Sequence, residues 1–251
     1  MILSNFHPAH EEEHVHEFKV GLMVPLYVHP GSKWDDLIEV KHHHPTIPFV
    51  AIINPSNGPG STLDSNYTDG IEILESSGIV VLGYVDTNYG VRNSTTLESE
   101  IDSYKNWYGV NGIFFDQMAN VPGKESYYAN LTKYVKTHGM IMSVGNPGVD
   151  TMQSYVGTVD NLVLYDNANL PPLSLFNGWH ENFNKRNFSF LSYGVGSLDD
   201  DYIKSLKKHV GYLYVTDQNG GNPWNALPPY LDKLVEELQS SEPFVCHASK
   251  C

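Results

Sequence analysis

"GIFFDQ" (residues 112–117) is an unbroken apolar run that ends in a carboxylate and an amide. A strand with water on one face alternates apolar and polar residues, so this continuous run predicts a strand covered on both faces. Seven further runs along the chain are equally short and rich in β-branched or aromatic residues. These are residues 20–28, 49–55, 79–86, 140–146, 161–167, 188–195 and 210–217.

Segments with helical spacing separate most of these strands. Ser32 is the predicted N-cap of a first helix, and Asp64 is the predicted N-cap of a second that stops at Gly78. A third helix is predicted from Ser94 to the residue before Gly109. Helices are also predicted in residues 125–139, 199–211 and 227–239, whereas the connections around 151–157 and 171–184 are expected to be mostly loop.

Eight strands with helical crossovers, spaced about 30 residues apart, predict an α/β chain folded as a single-domain (β/α)8 barrel over residues 19–240. A doubly wound open sheet is the alternative, but no glycine-rich dinucleotide fingerprint follows the first strand. Residues 1–18, rich in His and Glu, are predicted to be a flexible tail. Residues 241–251 form a second predicted tail, in which Cys246 and Cys251 are either bridged or free thiols.

The chain carries 15 Lys and Arg against 29 Asp and Glu, a formal net charge of -14. Nucleic acid is therefore not an expected partner, because phosphate binding needs clustered cations. No apolar stretch approaches the roughly 18 to 20 residues that span a membrane, and the N-terminus lacks the pattern of a secretion signal. Weak indications of export come from four Asn-x-Ser/Thr acceptors, at Asn66, Asn93, Asn130 and Asn187.

Chemistry in a barrel of this kind lies at the carboxyl ends of the strands. Asp86, Asp116 and Asp166 end three predicted strands and are the candidate catalytic residues. An aspartate after a strand is also a common turn former or helix cap, but three on neighbouring strand ends favour a site. The candidate substrate-binding residues at the same ends are Gln117, Asn146, Asn167, Tyr27, His29, Asn54, Tyr89, Tyr193, Asp217 and Trp224.

This set of side chains suits a carbohydrate. Amides and carboxylates hydrogen-bond sugar hydroxyls, aromatic faces stack on sugar rings, and cleavage of a glycosidic bond usually needs two carboxyl groups. No phosphate loop, HExxH, paired CxxC or G-x-S-x-G element occurs, and we expect no cofactor. A monomer is expected as well. A metal-dependent hydrolase is a weaker hypothesis, because His29 is the only imidazole at the predicted strand ends.

Seven segments, in order along the chain, resemble the spherulin-4 family: residues 24–38, 53–60, 66–74, 83–92, 112–117, 146–148 and 163–167. The resemblance extends from about residue 21 to residue 238. It implies a (β/α)8 fold and a polysaccharide substrate, since the fungal enzymes of the family are similar to glycoside hydrolases that cut galactosamine-containing polysaccharides of the extracellular matrix. It also implies an extracellular or cell-surface location.

The resemblance also implies roles for individual residues. In the family's enzymes the fourth strand ends in Asp-Glu, and a later strand ends in a hydrophobic residue followed by Glu-Asn. Asp116 matches the first carboxylate, whereas Gln117 replaces the adjoining Glu and Asp166 replaces the later one. An amide has no titratable proton, so Gln117 can bind a sugar but cannot act as general acid or base.

Two hypotheses follow. The first is a glycoside hydrolase that uses Asp116 and Asp166, with Asp86 as the alternative partner. The second is a carbohydrate-binding barrel without catalytic activity.

Overall fold

The eight apolar runs form eight parallel strands that close into one barrel, in a computed structural model that describes residues 18–240. Each strand pairs with the next one along the chain, and the eighth pairs with the first. This order confirms the predicted (β/α)8 barrel and excludes the doubly wound open sheet. The strands are β1 Gly21–Leu26, β2 Phe49–Ile53, β3 Ile79–Asp86, β4 Gly112–Asp116, β5 Met142–Gly145, β6 Asn161–Ala168, β7 Phe188–Tyr193 and β8 Tyr212–Val215.

Helices cover the outside of most of the barrel. They are α1 Ser32–His43, α2 Ser65–Ser76, α3 Ser94–Ser103, α4 Glu125–Thr137, α5 Asp200–Leu206 and α6 Leu231–Gln239. The connections from β5 to β6 and from β6 to β7 contain only short 3-10 turns, as predicted from their weak helix signals. These turns are Gln153–Tyr155, Leu173–Phe176, Trp179–Asn182 and Lys185–Asn187.

The starts of the helices test the predicted caps. The carboxylate of Asp64 accepts a hydrogen bond from the backbone N–H of Asn66, which confirms its role as the N-cap of α2. The prediction for Ser32 was wrong, because Ser32 is already helical and Gly31 is the N-cap. The Gly31 carbonyl accepts the first helical hydrogen bond, from the backbone N–H of Trp34 at 2.8 Å, so the helix starts one residue earlier than the cap rule placed it.

The third predicted helix begins at Ser94 as expected, and the side chain of Asn93 caps it. A π-helical turn, Tyr104–Tyr108, continues α3 up to Gly109. Gly109 has a φ of 68°, in the left-handed region that favours glycine, so the helix ends where the sequence predicts.

The burial of the apolar strands determines where the first polar side chains reach water. Every residue of β1 and β2 is buried, because one face of each strand packs inside the barrel and the other packs under the helices. Along β4, Phe114 and Phe115 are buried, and Asp116 is the first residue that water reaches. The strand therefore delivers this carboxylate to the barrel mouth, which is the end of the barrel formed by the carboxyl ends of the strands.

The predicted tails, residues 1–18 and 241–251, lie outside the described residues apart from residue 18, as do Cys246 and Cys251. Among the helices of the described part, none is long and apolar enough to cross a membrane.

Candidate functional site

Asp116 is the best-connected carboxylate at the barrel mouth. Its Oδ2 accepts a hydrogen bond from the Tyr84 hydroxyl at 2.8 Å, and its Oδ1 accepts one from Nδ2 of Asn146 at 2.9 Å. The backbone N–H of Gln117 also donates to this carboxylate. Tyr84 lies in β3, Gln117 directly follows β4, and Asn146 directly follows β5. Donors from three neighbouring strands thus fix the orientation of the carboxylate.

Asn146 joins Asp116 to a second carboxylate. Its Nδ2 also donates to Oδ2 of Asp166 at 2.7 Å, so one amide nitrogen bridges the ends of β4 and β6. The two carboxylate oxygens cannot be more than about 5.6 Å apart, which is the sum of the two bond distances. The structure therefore brings Asp116 and Asp166 together around one buried amide.

Every hydrogen-bonding group of Asn146 is in use. Its backbone N–H donates to the Phe115 carbonyl at 2.8 Å, and its carbonyl accepts from the N–H of Met118 at 2.9 Å. Its side-chain oxygen accepts from the N–H of Gly148 at 2.9 Å. Asn146 is also buried. It is therefore an internal bridge between the carboxylates, a position that differs from the sugar-contacting one we predicted.

The two carboxyl groups differ in their tendency to ionise. Burial raises the pKa of Asp166 to about 7; the hydrogen bond from Asn146 opposes this rise and the charge of Asp116 adds to it. Burial also raises the pKa of Asp116, but the hydrogen bonds from Tyr84, Gln117 and Asn146 all favour its ionised form. Asp166 receives only one of these donors, so it is the member of the pair that keeps a proton.

Tyr27 lies at the end of β1 beside both carboxyl groups. Burial raises the pKa of its phenol well above the usual value, and the charges of Asp116 and Asp166 add to the rise. Its ring packs edge-on against Tyr84, with centroids 5.7 Å apart. Among residues 18–240 no group hydrogen-bonds its hydroxyl. The phenol is therefore protonated and free to donate to a ligand between the two carboxyl groups.

The loops next to Asp116 hold a strained backbone. Asn88, Tyr89 and Gln117 have φ angles of 43°, 56° and 47°, in the left-handed region that side chains rarely adopt. The N–H of Tyr89 donates to the Gln117 carbonyl at 2.7 Å, which ties the loop after β3 to the end of β4. A Cβ atom at Gly145 would overlap the sulfur of Met118, so a larger residue there would displace the Met118 side chain. Strain held in place in this way is typical of functional sites.

Three predicted site residues have partners other than the pair, two of them in their own loops. Asp86 is in register with Asp116, yet its Oδ1 accepts from the backbone N–H of Asn88 at 2.7 Å, as in a turn. The Oδ1 of Asn54 likewise accepts from a backbone N–H four residues further along its loop, that of Gly58 at 3.0 Å. The imidazole of His29 is exposed and lies 3.3 Å from the carboxylate of Asp64 at the start of α2.

The remaining predicted residues lie on the side of the mouth formed by β6, β7 and β8. Asn167 is exposed and donates to the Gly148 carbonyl at 3.0 Å, and Asp217 accepts from the side chain of Gln218 at 2.9 Å. Tyr193 packs edge-on against Trp224 at 5.6 Å. The Trp224 ring is buried, so Tyr193 is the aromatic side chain of this pair that water reaches.

Sequence reasoning missed Tyr84. It stands inside an apolar run, two residues before Asp86, and therefore on the same face of β3. A buried tyrosine hydroxyl usually finds a hydrogen-bond partner. A tyrosine near the end of an otherwise apolar strand is the signal that identifies such a residue.

The described residues offer no set of metal ligands. Across residues 18–240, no group of three or more His, Cys, Asp or Glu side chains is arranged to hold a metal ion. The metal-dependent hydrolase hypothesis therefore finds no site in this part of the chain. The His- and Glu-rich run of residues 7–16 lies outside it.

Comparison with known proteins identifies the family. The model of spherulation-specific family 4 matches residues 21–238, nearly the whole barrel. The chain belongs to this family. Within the family it is 32% identical over 238 residues to spherulin-4 of Physarum polycephalum, covering 88% of this chain and 70% of that protein.

Solved structures agree with this family assignment. The protein is similar to Sph3 of Aspergillus clavatus, whose crystal structure is a complex with GalNAc. The TM-score is 0.76 and the sequence identity is 26%, and the match covers 89% of this chain and 99% of the Sph3 chain. Tryptophan synthase from M. tuberculosis has a TM-score of 0.53 at 10% identity, covering 88% of this chain and 92% of that one. That second likeness shows the fold alone.

Proposed function

We propose that the protein is a glycoside hydrolase that cleaves an amino-sugar polysaccharide at the barrel mouth. The observation that carries the proposal is the pair of carboxyl groups, Asp116 and Asp166, bridged by Asn146. Glycosidic cleavage usually needs two carboxyl groups across the scissile bond, one as an acid and one as a base or nucleophile. Asp86 is the less favoured partner, because its carboxylate is engaged by the turn at Asn88.

The two environments support different roles for the pair. Asp166 keeps its proton to about pH 7 and donates it to the glycosidic oxygen as that bond breaks. Asp116 is ionised and attacks the anomeric carbon, forming a glycosyl ester. Water then hydrolyses the ester, and Asp166 takes the proton from this water and is restored. Tyr27 donates a hydrogen bond to the sugar beside the reacting bond.

The substrate class rests on the relatives and on charge. Sph3 binds GalNAc in its crystal structure, and Sph3 is 26% identical to this chain. A polymer that carries some free amines is a cation, and the net charge of -14 raises its concentration near the protein. Solvent-accessible amide, carboxylate and aromatic side chains around the pair supply contacts for sugar hydroxyls and ring faces; these are Gln117, Tyr89, Asn167, Tyr193 and Asp217. A substrate of this kind fits the extracellular or cell-surface location that we expect.

The test is the release of reducing ends from a partly deacetylated galactosaminogalactan-type polymer. Wild-type protein is expected to release them, Asp116→Asn and Asp166→Asn are expected not to, and Asp36→Asn is the control. Asp36 is an exposed carboxylate of α1 paired with Lys33 at 3.2 Å, so its loss changes charge without touching the barrel mouth. Equal release by wild type and Asp116→Asn would show that the proposed reaction does not occur.

The second candidate is a carbohydrate-binding barrel without catalysis, and Gln117 favours it. The family's enzymes carry Glu where this chain has an amide that cannot transfer a proton. Under this hypothesis the wild-type protein binds the polymer and releases nothing, whereas Gln117→Glu regains cleavage. Release by wild-type protein that Asp116→Asn abolishes contradicts this hypothesis and favours the hydrolase.

A further inference from the structure

Two buried hydroxyl groups lie behind the loop that follows β4. Thr87 directly follows β3, and Tyr128 is in α4, on the outside of the barrel. Both residues are 0% exposed, and their hydroxyl oxygens lie 2.9 Å apart. Both hydroxyls also bond backbone groups of β4 or of the loop after it. They are therefore placed to act on Asp116 through the backbone.

These hydrogen bonds run in one direction. The backbone N–H of Ala119 can only donate, and it donates to the Tyr128 hydroxyl oxygen at 2.9 Å. The carbonyls of Asp116 and Gln117 can only accept, and the Thr87 hydroxyl lies 3.1 and 2.8 Å from them. Every hydrogen is used when the Tyr128 hydroxyl donates to Thr87 and the Thr87 hydroxyl donates to the nearer carbonyl. We call this chain of bonds, from Ala119 through Tyr128 and Thr87 to Gln117, the hydroxyl relay.

Thr87 clamps a peptide group whose N–H bonds the Asp116 carboxylate. The backbone N–H of Thr87 donates to the Asp116 carbonyl at 3.0 Å, and its hydroxyl lies 3.1 Å from the same oxygen. That carbonyl and the N–H of Gln117 belong to one planar peptide group, so a fixed carbonyl direction fixes the N–H direction as well. This N–H is the one that donates to the Asp116 side chain. Thr87 therefore sets the direction of a donor to Asp116.

The conformation of Gln117 needs this support. Its φ of 47° lies in the left-handed region, which costs free energy for a residue with a side chain. On its other side, the Gln117 carbonyl accepts from the Thr87 hydroxyl at 2.8 Å and from the N–H of Tyr89 at 2.7 Å. The peptide groups before and after Gln117 are thus both tied to Thr87.

Tyr128 extends the support to the next part of the loop. Its oxygen holds the N–H of Ala119, and the N–H of the preceding residue, Met118, donates to the carbonyl of Asn146 at 2.9 Å. Asn146 is the amide that bridges the two carboxyl groups. The hydroxyl relay thus supports two of the three donors to Asp116, those of Gln117 and Asn146.

We propose that Thr87 and Tyr128 are positioning residues, whose hydroxyl relay holds the Gln117 N–H on the Asp116 carboxylate and so favours the ionised form of this group. The catalytic consequence of this inference rests on the proposed function. Because both hydroxyls are buried, water cannot replace one that is removed. Loss of either hydroxyl should release the Gln117 N–H, so the pKa of Asp116 should rise.

The experiment follows the carboxyl carbon of Asp116 by carbon NMR as a function of pH, in protein without substrate. Its resonance is identified by its absence from Asp116→Asn. The test variants are Thr87→Val, which keeps the branched shape, and Tyr128→Phe, which keeps the ring that packs on Tyr155. Each variant removes one hydroxyl, so either one is decisive alone should the other not fold.

In each test variant the pKa of Asp116 should rise by about 0.5 to 1 unit, since two to three hydrogen bonds lower the pKa of a carboxyl group by about 2 units. The acid limb of kcat/KM should move with it, which is a loss of about threefold to tenfold on that limb. The double variant should shift no further than the larger single shift, because both hydroxyls belong to one chain of bonds. Thr87→Ser keeps the hydroxyl and should titrate like the wild type.

Tyr202→Phe is the matched control. The Tyr202 hydroxyl donates to the Pro171 carbonyl at 2.7 Å, so the change removes a tyrosine–carbonyl bond that ends on neither Asp116 nor Gln117. This variant should leave the titration of Asp116 unchanged. An unchanged titration in folded Thr87→Val or Tyr128→Phe, or an equal shift in Tyr202→Phe, overturns the positioning role. Absence of cleavage by the wild-type protein contradicts the proposed function instead, and leaves the titration test valid.

Discussion

Asp116 and Asp166 end strands that are not neighbours in the barrel, yet their carboxylate oxygens bond the same nitrogen of Asn146, at 2.9 and 2.7 Å. Two carboxylates this close repel each other when both are ionised, so the shared N–H donors and a single retained proton stabilise the pair. The same arrangement gives each carboxyl group a different environment. One buried amide therefore holds the pair together, and the additional donors Tyr84 and Gln117 set Asp116 apart from Asp166.

The first prediction concerns stereochemistry. The two oxygens that share Asn146 lie no more than about 5.6 Å apart, which is closer to the separation of about 5 to 5.5 Å between the carboxyl groups of retaining glycosidases than to the about 6.5 to 9.5 Å of inverting ones. The product is therefore expected to keep the anomeric configuration of the substrate. Proton NMR of the first product, recorded before mutarotation, measures this directly. An inverted first product would show that Asp116 and Asp166 are not the reacting pair.

The second prediction replaces the bridge with a side chain of similar size, Asn146→Leu. Both carboxyl groups lose a donor that favours the ionised form, so the pKa of each rises. We expect both limbs of the pH profile of kcat/KM to move to higher pH, with a loss at pH 6 of at most about tenfold for each unit of rise in the pKa of Asp116. The control is Asn167→Leu, since Asn167 bonds only the Gly148 carbonyl. That variant should raise KM and leave both limbs in place.

The third prediction concerns stability and its dependence on pH. The pKa of Asp166 is about 7 in the folded protein and about 3.8 in an unfolded chain. Between these values the folded state binds the extra proton, so the free energy of unfolding falls as the pH rises from about 4 to about 7. Asp166→Asn has no charge to bury, and should be more stable than wild type at pH 8, by an upper limit of about 4 kcal/mol, and equally stable at pH 4.

Urea unfolding at the two pH values measures this difference. Asp64→Asn is the comparison with opposite sign, because the hydrogen bond from the Asn66 backbone lowers the pKa of Asp64. Asp64→Asn should lose stability at pH 8 and not at low pH. A gain in stability together with a loss of activity in Asp166→Asn is the behaviour expected of a catalytic group, whose burial as a charge opposes folding. A loss of stability at pH 8 would contradict the raised pKa.

The fold could be predicted from the sequence because the same pattern, an apolar strand followed by a segment with helical spacing, repeats along the chain. A strand buried on both faces must be apolar throughout, and eight such runs separated by helical spacing leave few alternatives to a closed barrel. The burial of β1, β2 and most of β4 follows directly from that pattern. The same rule placed Asp116 and Asp166 at the mouth, because each is the first polar residue after a buried run.

The inner arrangement of the site could not be predicted in the same way. A polar side chain after a strand either bonds its own loop or points across the mouth. Which of the two occurs depends on the loop conformation, and loops have no periodic sequence pattern from which it could be predicted. Asp86 and Asn54 bond their own loops, whereas Asn146 turns inward to bridge two carboxylates. Tyr84 was missed because an aromatic residue in an apolar run signals core packing first.

The fourth prediction removes the phenol donor of Asp116. Tyr84→Phe deletes the 2.8 Å hydrogen bond to Oδ2 and keeps the ring that packs on Tyr27 and Phe114. The pKa of Asp116 should rise, so the acid limb of the kcat/KM profile moves to higher pH. The free energy of unfolding should fall by about 0.5 to 1.5 kcal/mol.

A matched control lies on the outside of the barrel. Tyr134 in α4 donates to a carboxylate oxygen of Asp102 at 2.9 Å, the same kind of bond far from the mouth. Tyr134→Phe should change stability by a similar amount and leave the pH profile unchanged. Identical pH profiles for the two variants would mean that Tyr84 has a structural role alone.

The fifth prediction concerns a histidine that belongs to the scaffold. His180 is buried, its Nε2 lies 2.8 Å from a carboxylate oxygen of Asp150, and its Nδ1 lies 3.0 Å from the carbonyl of Asn177. Asp150 belongs to the connection from β5 to β6 and Asn177 to the connection from β6 to β7, the two connections without an α-helix. The imidazole thus joins two segments that lack the packing of a helix.

His180→Leu is therefore expected to lower the free energy of unfolding by about 1 to 3 kcal/mol, because the carboxylate of Asp150 loses the imidazole and retains the backbone N–H of Thr151. At temperatures where the variant is folded, kcat/KM should equal that of wild type, since the imidazole bonds neither Asp116 nor Asp166. Chemical unfolding and polymer cleavage measured on the same preparation separate the two effects. The exposed His138, replaced in the same way, should change stability by less than about 0.5 kcal/mol. A loss of kcat/KM in folded His180→Leu would instead place this pair within the catalytic site.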